Sequence, residues 1–334
     1  MYIGDKGSSK GARILVVRLS SMGDIIHALP AVATLKHSFP ASHLSWVVRP
    51  AWAPLLEGNP FIDRLVLLER RDWGAIRKAW KELRQIRYDF AVDFQGLIQS
   101  ALVASAARPD RIYGFHQSQL REKLAALFYS NRVFTNSKHV VDQNLDLASA
   151  AGAGGIVRAF PLPPGRPEGH LPPEGFVLAC PLAGWRSKQW PLDYYGDLAV
   201  LLRREIGYPL VLNGPPESLP LLERVPDVNL HVSGLPGLID ATRRAVAVVG
   251  IDSGPLHLAA ALAKPGVAIF GPTDPARNGP YGETVHVLRS PNAVTTFKRG
   301  SIISESMREI SPRKVAEAVR AAMVLRPRSS GAAR

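Results

Sequence analysis

Apolar and polar positions alternate along the chain in blocks that predict strands and helices in turn. Residues 14–17 form a continuous apolar run, typical of a strand buried on both faces of a parallel sheet. Residues 25–37 then carry apolar side chains at helical spacing. The alternation continues with predicted strands at 44–48, 65–68 and 90–93 and predicted helices at 73–87 and 97–107. This order indicates βαβ units.

The pattern stops at residues 153–175, which are dense in glycine and proline and are predicted to be a linker. It then restarts, with strands at 176–179, 209–212, 246–251 and 267–270 and helices at 192–205, 236–244, 255–263 and 312–324. The prediction is an α/β protein with two domains facing a central cleft, covering residues 1–160 and 161–311. A last helix (312–325) and a disordered basic tail (326–334) follow.

Length and composition agree with two globular domains. The chain has 334 residues, more than the roughly 250–300 at which a single core stops growing. Its one cysteine, Cys180, excludes an internal disulfide framework and a multi-cysteine metal site. No segment approaches the roughly 20 apolar residues that span a bilayer, so we expect a cytoplasmic protein.

The net charge of +13 allows three kinds of partner: nucleic acid, a membrane surface or an anionic substrate. The densest basic stretch is 70–87, with seven basic and two acidic residues. It is interpreted either as a solvated helix face or as a patch for a phosphorylated or membrane-held substrate. Trp73 and Trp80, seven residues apart, are interpreted as packing residues. A nucleic-acid-binding protein is disfavoured because the basic residues are spread along the chain without a recognised motif.

The first candidate site is the segment Ser20-Ser21-Met22-Gly23-Asp24, directly after the first predicted strand. Doubly wound domains place ligand-contacting residues at such strand ends. Gly23 is expected to allow a tight turn. Asp24 is expected near a helix N-terminus, where the helix dipole favours a carboxylate. Capping and catalysis are therefore both open for Asp24 from the residues alone.

In the second half of the chain, polar groups follow four predicted strands. Lys188 suits a phosphate, although a solvated lysine beside two tryptophans is the alternative. Glu217 can accept hydrogen bonds from a ribose. Thr273 can donate one to a phosphate, whereas Asp274 is expected to order its own turn.

Residues 252–257 (DSGPLH) belong to the same set, because they join a predicted strand to a predicted helix. Ser253 can cap that helix, and the free N–H groups at its start form an anion site. His257 is the weaker candidate, since a satisfied buried histidine is the alternative. The chain contains no Asp-x-Asp and no cluster with metal-ligand spacing, so neither a metal nor a cofactor is expected.

Taken together, these motifs resemble the ADP-heptose:lipopolysaccharide heptosyltransferases of glycosyltransferase family 9. The resemblance covers roughly residues 13–324, and its most specific parts are 252–262 (DSGPLHLAAAL) and 270–282 (FGPTDPARNGPYG). Residues 18–31, 93–102 and 120–129 are most similar to the type I members, which add the first heptose. The resemblance implies a GT-B fold of two Rossmann-like domains, with the last helix packing back on the N-terminal one.

The resemblance also implies roles for individual residues. Asp24 matches the general base, Lys188 the donor-phosphate lysine, Glu217 the ribose-binding acid and Arg121 an acceptor-side arginine. The implied donor set is Lys188, Glu217, Asp252, Ser253, Gly254, Leu256, His257 and Thr273. The implied acceptor set is Ser21, Met22, Gly23, Arg70, Arg71, Gln95 and Arg121.

The implied activity is inverting transfer of heptose from ADP-heptose to the Kdo region of lipid A. The implied partners are a nucleotide-sugar donor, an anionic glycolipid acceptor and the cytoplasmic face of the inner membrane, with no nucleic acid. The protein is expected to act as a monomer. A family member with another sugar nucleotide or acceptor is the nearest alternative. A non-catalytic binder is disfavoured because Asp24 and Lys188 are both present.

Overall fold

A computed structural model of the protein describes residues 11–69, 72–296 and 298–324. The chain divides into two compact units, Met1–Pro163 and Pro164–Arg334. The predicted tail at 326–334 lies outside the described residues.

The first unit is built on a six-stranded parallel sheet in the order β3-β2-β1-β4-β5-β6. Its central strand, β1, is bordered by β2 and β4, and four of its five residues are buried. The strands are β1 (Arg13–Val17), β2 (His43–Val48), β3 (Arg64–Leu67), β4 (Phe90–Asp93), β5 (Arg111–Phe115) and β6 (Asn131–Val133). The helices are α1 (Met22–Ser38), α2 (Trp73–Arg84), α3 (Ile98–Ala106) and α4 (Val140–Ala150).

The second unit repeats this design, with a parallel sheet in the order β12-β11-β10-β7-β8-β9. Its strands are β7 (Val177–Ala179), β8 (Leu210–Gly214), β9 (Asn229–Val232), β10 (Ala247–Ile251), β11 (Gly266–Phe270) and β12 (Val285–Arg289). Its helices are α5 (Leu192–Ile206), α6 (Leu219–Leu222), α7 (Leu235–Arg244), α8 (Gly254–Ala261), α9 (Pro275–Asn278), α10 (Glu305–Arg308) and α11 (Pro312–Val324).

Both sheets follow the Rossmann strand order, in which the chain reverses its direction of winding at one position. That position lies between β1 and β4 in the first unit and between β7 and β10 in the second. Loops after these strands diverge and leave a crevice at the carboxyl edge of the sheet, where ligands of doubly wound domains bind. Residues 18–24 and 94–97 occupy this position in the first unit, and residues 180–190 and 252–253 in the second.

The last helix differs from the sequence-based expectation. Its buried side chains, Val315, Ala316 and Val319, join the core of the second unit. It packs against α5, β10 and β11. Helix α11 therefore covers its own unit's sheet, whereas we expected it on the N-terminal domain. The apolar stripe alone could not distinguish these two partners.

Helix α2 also corrects the sequence interpretation. Its inward face is formed by Ala79 and Leu83, which are buried. Trp73 and Trp80 do not serve as packing residues, because 80% of Trp73 and 44% of Trp80 are exposed. The seven-residue spacing places both tryptophans on one face, and that face is turned away from the core.

Strands β5, β6, β9 and β12 and helix α4 were not predicted from the sequence. The four strands lie at or next to a sheet edge, and each contains residues that are exposed or partly exposed. Their hydrophobic pattern is correspondingly weak.

Candidate active site

Asp24 lies in the first turn of α1, at the point where β1 ends. Its Oδ2 accepts hydrogen bonds from the backbone N–H of Ser21 (3.0 Å) and from the Ser21 hydroxyl (2.7 Å). Its Oδ1 lies 2.5 Å from Nη2 of Arg18. Asp24 therefore does bind the first turn of the helix, as one of the two sequence interpretations expected. Its side chain nevertheless remains 40% exposed, so capping leaves it accessible to a substrate.

The segment that presents Asp24 has a different geometry from the predicted one. Helix α1 begins at Met22, three residues before the predicted start, so Met22 and Gly23 are buried helix residues. The expectation that Gly23 supplies a tight turn was therefore wrong. Ser21, the residue that precedes the helix, is exposed.

Arg18 is held by the loop that follows β4. Its guanidinium donates to the carbonyl of Phe94, and the side chain is 10% exposed. In the same loop, Oε1 of Gln95 accepts the backbone N–H of Leu19 at 2.7 Å. Gln95 thus has a clear structural task beside its expected acceptor role. These two hydrogen bonds connect the loop after β1 to the loop after β4, at the position where the strand order reverses.

Asp93, at the end of β4, is fully buried and orders this loop. It accepts hydrogen bonds from the hydroxyls of Tyr129 and Ser100, both at 2.7 Å, and from the backbone N–H groups of Gln95 (2.9 Å) and Gly96 (3.2 Å). Burial raises the pKa of Asp93 above its ordinary value, and these hydrogen bonds only partly oppose the increase.

The raised pKa of Asp93 predicts a pH-dependent stability. The unfolded carboxyl ionises near pH 4 and the folded one at higher pH, so the free energy of unfolding falls as pH rises above about 4. The expected loss is about 1.4 kcal/mol for each pH unit between the two pKa values. Asp93→Asn should remove this part of the slope in urea unfolding.

Asp63→Asn is the matched control for this experiment. The pKa of Asp63 is lowered, because hydrogen bonds from Leu44 and Lys36 outweigh the effect of burial. Its replacement should therefore change the slope only below about pH 4. An Asp93→Asn variant with the wild-type slope above pH 4 would contradict the assignment to Asp93.

Arg121 is exposed and follows Leu120, whose side chain lies against Gly96. The next residue, Glu122, accepts the backbone N–H of Ile98 at 2.8 Å. These contacts hold Arg121 next to the Gln95 loop, on the same side of the unit as Asp24. Arg70 and Arg71, the other predicted acceptor-side arginines, lie outside the described residues.

The second unit has its own charged cluster where β7 and β10 diverge. Nζ of Lys188 lies 2.6 Å from Oδ2 of Asp252, and Nε2 of His257 lies 3.8 Å from Oδ1. Asp252 and His257 are buried, and Lys188 is 17% exposed. Burial raises the pKa of Asp252, but the nearby His257 ring and the charge and hydrogen bond of Lys188 outweigh it and hold the pKa well below its ordinary value.

Three buried hydroxyls that follow strands of this sheet have no hydrogen-bond partner among the described residues: those of Ser187, Ser253 and Thr273. Ser253 precedes α8, but its hydroxyl does not make the capping bond that we expected. By contrast, Asp274 orders its own turn as predicted, accepting from the N–H of Ala276 at 3.0 Å. An unpaired buried hydroxyl is costly unless a ligand satisfies it. These groups therefore point to a polar ligand.

Helix α8 adds backbone donors to the cluster. It begins at Gly254 with Pro255 in its first turn, and Leu256 packs in the core. The first N–H groups of a helix have no partner inside it and favour anions. Glu217 follows β8 at the same carboxyl edge of the sheet, and its side chain is exposed.

Arg299 is a cation of this region that the sequence did not reveal. Its Cζ lies 5.7 Å from the ring centroid of Trp185, and Nζ of Lys188 lies 4.4 Å from the same centroid. The carbonyl of Gly300 accepts the N–H of Ser187 at 3.3 Å. Lys188 shares its charge with Asp252 in an ion pair, and Arg299 is a second source of positive charge beside Trp185. More than 100 residues separate Arg299 from Lys188, and no motif connects them.

Within residues 11–69, 72–296 and 298–324, no group of three or more His, Cys, Asp or Glu side chains is placed to hold a metal ion. The two sheet edges present an accessible carboxylate in the first unit and, in the second, a cluster of donors that suits an anion. Donors in that cluster are an ammonium, hydroxyls and helix N–H groups.

The sequence of this chain matches a known protein family. A sequence model of glycosyltransferase family 9 (heptosyltransferase) matches residues 76–306. Lipopolysaccharide heptosyltransferase 1 of Pseudomonas aeruginosa PAO1 is 30% identical over 305 residues, covering 82% of this chain and 83% of the relative. The Escherichia coli K12 enzyme of the same name is 29% identical over 307 residues, covering 84% and 94%.

The fold agrees with this match. The solved structure of E. coli heptosyltransferase WaaC with ADP has a TM-score of 0.73 and 26% identity to this chain, covering 93% of this chain and 99% of that one. Two Rossmann-like units agree with the GT-B fold that the family resemblance implied. The chain belongs to glycosyltransferase family 9, the heptosyltransferase family.

Proposed function

We propose that this glycosyltransferase moves L-glycero-D-manno-heptose from ADP-heptose to the Kdo region of lipid A. The observation that carries the proposal is the cluster at the β7–β10 divergence, where the Lys188–Asp252 pair is flanked in the chain by Ser187 and Ser253, whose buried hydroxyls have no partner among the described residues. Such a cluster suits a nucleotide diphosphate. The relatives named heptosyltransferase 1 and the WaaC structure with ADP support this donor class.

In the proposed donor complex, the diphosphate lies at the N-terminus of α8. The backbone N–H of Gly254 at the start of α8 and the hydroxyls of Ser253 and Thr273 donate to its oxygens. Lys188 supplies positive charge, and Asp252 together with His257 fixes the position of Lys188. Glu217 accepts hydrogen bonds from the ribose hydroxyls.

In the proposed reaction, Asp24 accepts the proton of an acceptor hydroxyl. The resulting oxygen attacks the anomeric carbon of heptose while the bond from that carbon to the ADP oxygen breaks, which inverts the configuration. ADP leaves with the bonding electrons, and Lys188 and the α8 N–H groups stabilise its developing charge. Arg18 orients Asp24, as their 2.5 Å ion pair indicates.

The proposed acceptor is an anionic glycolipid, bound near Ser21, Met22 and Gly23 with Arg121 as a carboxylate or phosphate contact. Arg70 and Arg71 belong to the same proposal. Among the residues that the structure covers, no helix is both long and apolar enough to cross a membrane. We place the enzyme at the cytoplasmic face of the inner membrane because its proposed acceptor carries acyl chains.

The donor site predicts transfer without a divalent cation. If Lys188, the hydroxyls and α8 provide the charge that a diphosphate needs, the rate in excess EDTA should stay within about twofold of the untreated rate. Product formation measured with and without added Mg²⁺ checks this. Strict dependence on a metal ion would contradict the proposed donor site.

The proposed function is tested by expressing the chain in bacteria that lack heptosyltransferase 1. Sugar analysis of their lipopolysaccharide should show heptose restored with the wild-type chain and absent with Asp24→Asn. Restoration by neither at equal protein levels would contradict the proposed activity, and restoration by both would contradict the role of Asp24 as general base.

A further inference from the structure

We propose that the exposed face of α2 docks the protein on an anionic lipid bilayer. This inference deepens the proposed function, since a lipid-anchored acceptor is met at a membrane. The docking face consists of Trp73, Arg77, Trp80, Lys81 and Arg84.

The tryptophans are the first observation. Trp73 is 80% exposed and Trp80 is 44% exposed, although Ala79 and Leu83 of the same helix are buried. Fold stability does not account for two large indoles on the outward face, because exposed apolar surface contributes nothing to the core. Indoles favour the boundary between lipid headgroups and acyl chains, where the ring is apolar and its N–H can reach water.

The charges are the second observation. Arg77, Lys81 and Arg84 are exposed on the same face as the tryptophans, and Arg84 lies over the Trp80 ring at 5.7 Å. These three basic residues line an open pocket together with Trp80 and Gln85, which suits a phosphate headgroup.

The two acidic residues of this region are engaged elsewhere. Asp72 caps α2 by accepting the N–H of Gly74 at 2.8 Å. Glu82 lies 3.6 Å from Arg64 of β3. Neither pairs with the basic residues of the docking face, which therefore presents positive charge and indole rings together. Such a combination is typical of helices that lie in a membrane interface.

The spacing favours a bilayer over single-stranded nucleic acid. Two residues seven apart on a helix are separated by about 10 Å along its axis. Neighbouring bases in a stack are only about 3.4 Å apart, so the two indoles do not form a platform for successive bases. A bilayer interface imposes no such spacing.

The proposal is tested by sedimentation of the full chain with phosphatidylglycerol-containing vesicles and with neutral phosphatidylcholine vesicles. We expect binding to the anionic vesicles that weakens with salt. The Trp73→Ala/Trp80→Ala variant should bind at least about tenfold more weakly. Arg77→Gln/Lys81→Gln should lose about fivefold for each charge removed.

Matched variants separate docking from general surface effects. Phe134→Ala removes another exposed aromatic ring of the first unit, and Lys314→Gln/Arg320→Gln removes two exposed charges from α11. Both should bind vesicles like the wild type. Because the replaced α2 side chains are exposed, circular dichroism should show unchanged folding in the α2 variants.

Transfer to a deacylated, water-soluble acceptor is measured in parallel. The tryptophan variant should keep this activity while losing transfer to vesicle-held acceptor. Absence of transfer by the wild type would contradict the proposed function and leave the vesicle result standing. Wild-type vesicle binding by both α2 variants, no binding by the wild type, or tighter binding to RNA through the same side chains would overturn the docking proposal.

Discussion

Replacing Asp24 by Asn is expected to lower kcat by about 10²–10⁴, the usual contribution of a general base. Asparagine keeps the size of the side chain and can still accept the N–H of Ser21, so the start of α1 should remain intact. The amide cannot take up the acceptor proton. Because the proposed ADP-binding residues lie in the other unit, the Kd for ADP should be unchanged by calorimetry.

Asp72→Asn is the control for a purely structural effect. Asp72 also binds the first turn of a helix, through the N–H of Gly74, and lies outside the proposed catalytic cluster. This variant should transfer heptose at the wild-type rate. If Asp24→Asn were equally active, Asp24 would be a capping residue only. A lower melting temperature with a proportional loss of ADP binding would point to unfolding instead.

Replacing Lys188 by Ala has the second large expected effect. The change removes the ammonium that we assign to the leaving diphosphate, so kcat should fall by about 10²–10³. It also leaves the buried Asp252 carboxylate without its partner at 2.6 Å, which should lower the free energy of unfolding by about 3–5 kcal/mol. Kinetics and urea unfolding measure the two effects separately.

A double variant distinguishes catalysis from stability. Lys188→Ala/Asp252→Asn removes both charges and should recover part of the lost stability, because no unpaired buried charge remains. Its kcat should stay low. Lys36→Ala breaks another close ion pair, with Asp63 at 2.7 Å, and should affect stability without affecting transfer. Recovery of activity in the double variant would exclude the proposed role of Lys188.

The central strands of both units could be predicted because a short apolar run in the sequence is enough to identify a buried strand. The run at 14–17 is apolar throughout, so it had to be a doubly buried strand, and the polar segment after it had to lie at the sheet's carboxyl edge. The same logic placed Lys188 and Asp252 after β7 and β10. Short edge strands such as β6 gave no comparable signal.

The remaining features depend on contacts between distant segments. Arg18 reaches Phe94, and Asp93 reaches Tyr129, so neither network has a local pattern. Helix α11 has an apolar stripe that would fit either sheet, and only tertiary contacts show which one it covers. The exposure of Trp73 likewise had no sequence signal, because helical spacing gives a shared face but not its direction.

The most direct test of the proposed activity is donor selection by the wild-type protein. The chain is incubated with Kdo-lipid A and one donor at a time: ADP-heptose, ADP-glucose, UDP-glucose or GDP-mannose. The masses of the lipid products are then measured by mass spectrometry. The account predicts a gain of a single heptose with ADP-heptose and no gain with the other donors. Transfer from another sugar nucleotide in place of ADP-heptose, or no transfer to this acceptor, would contradict it.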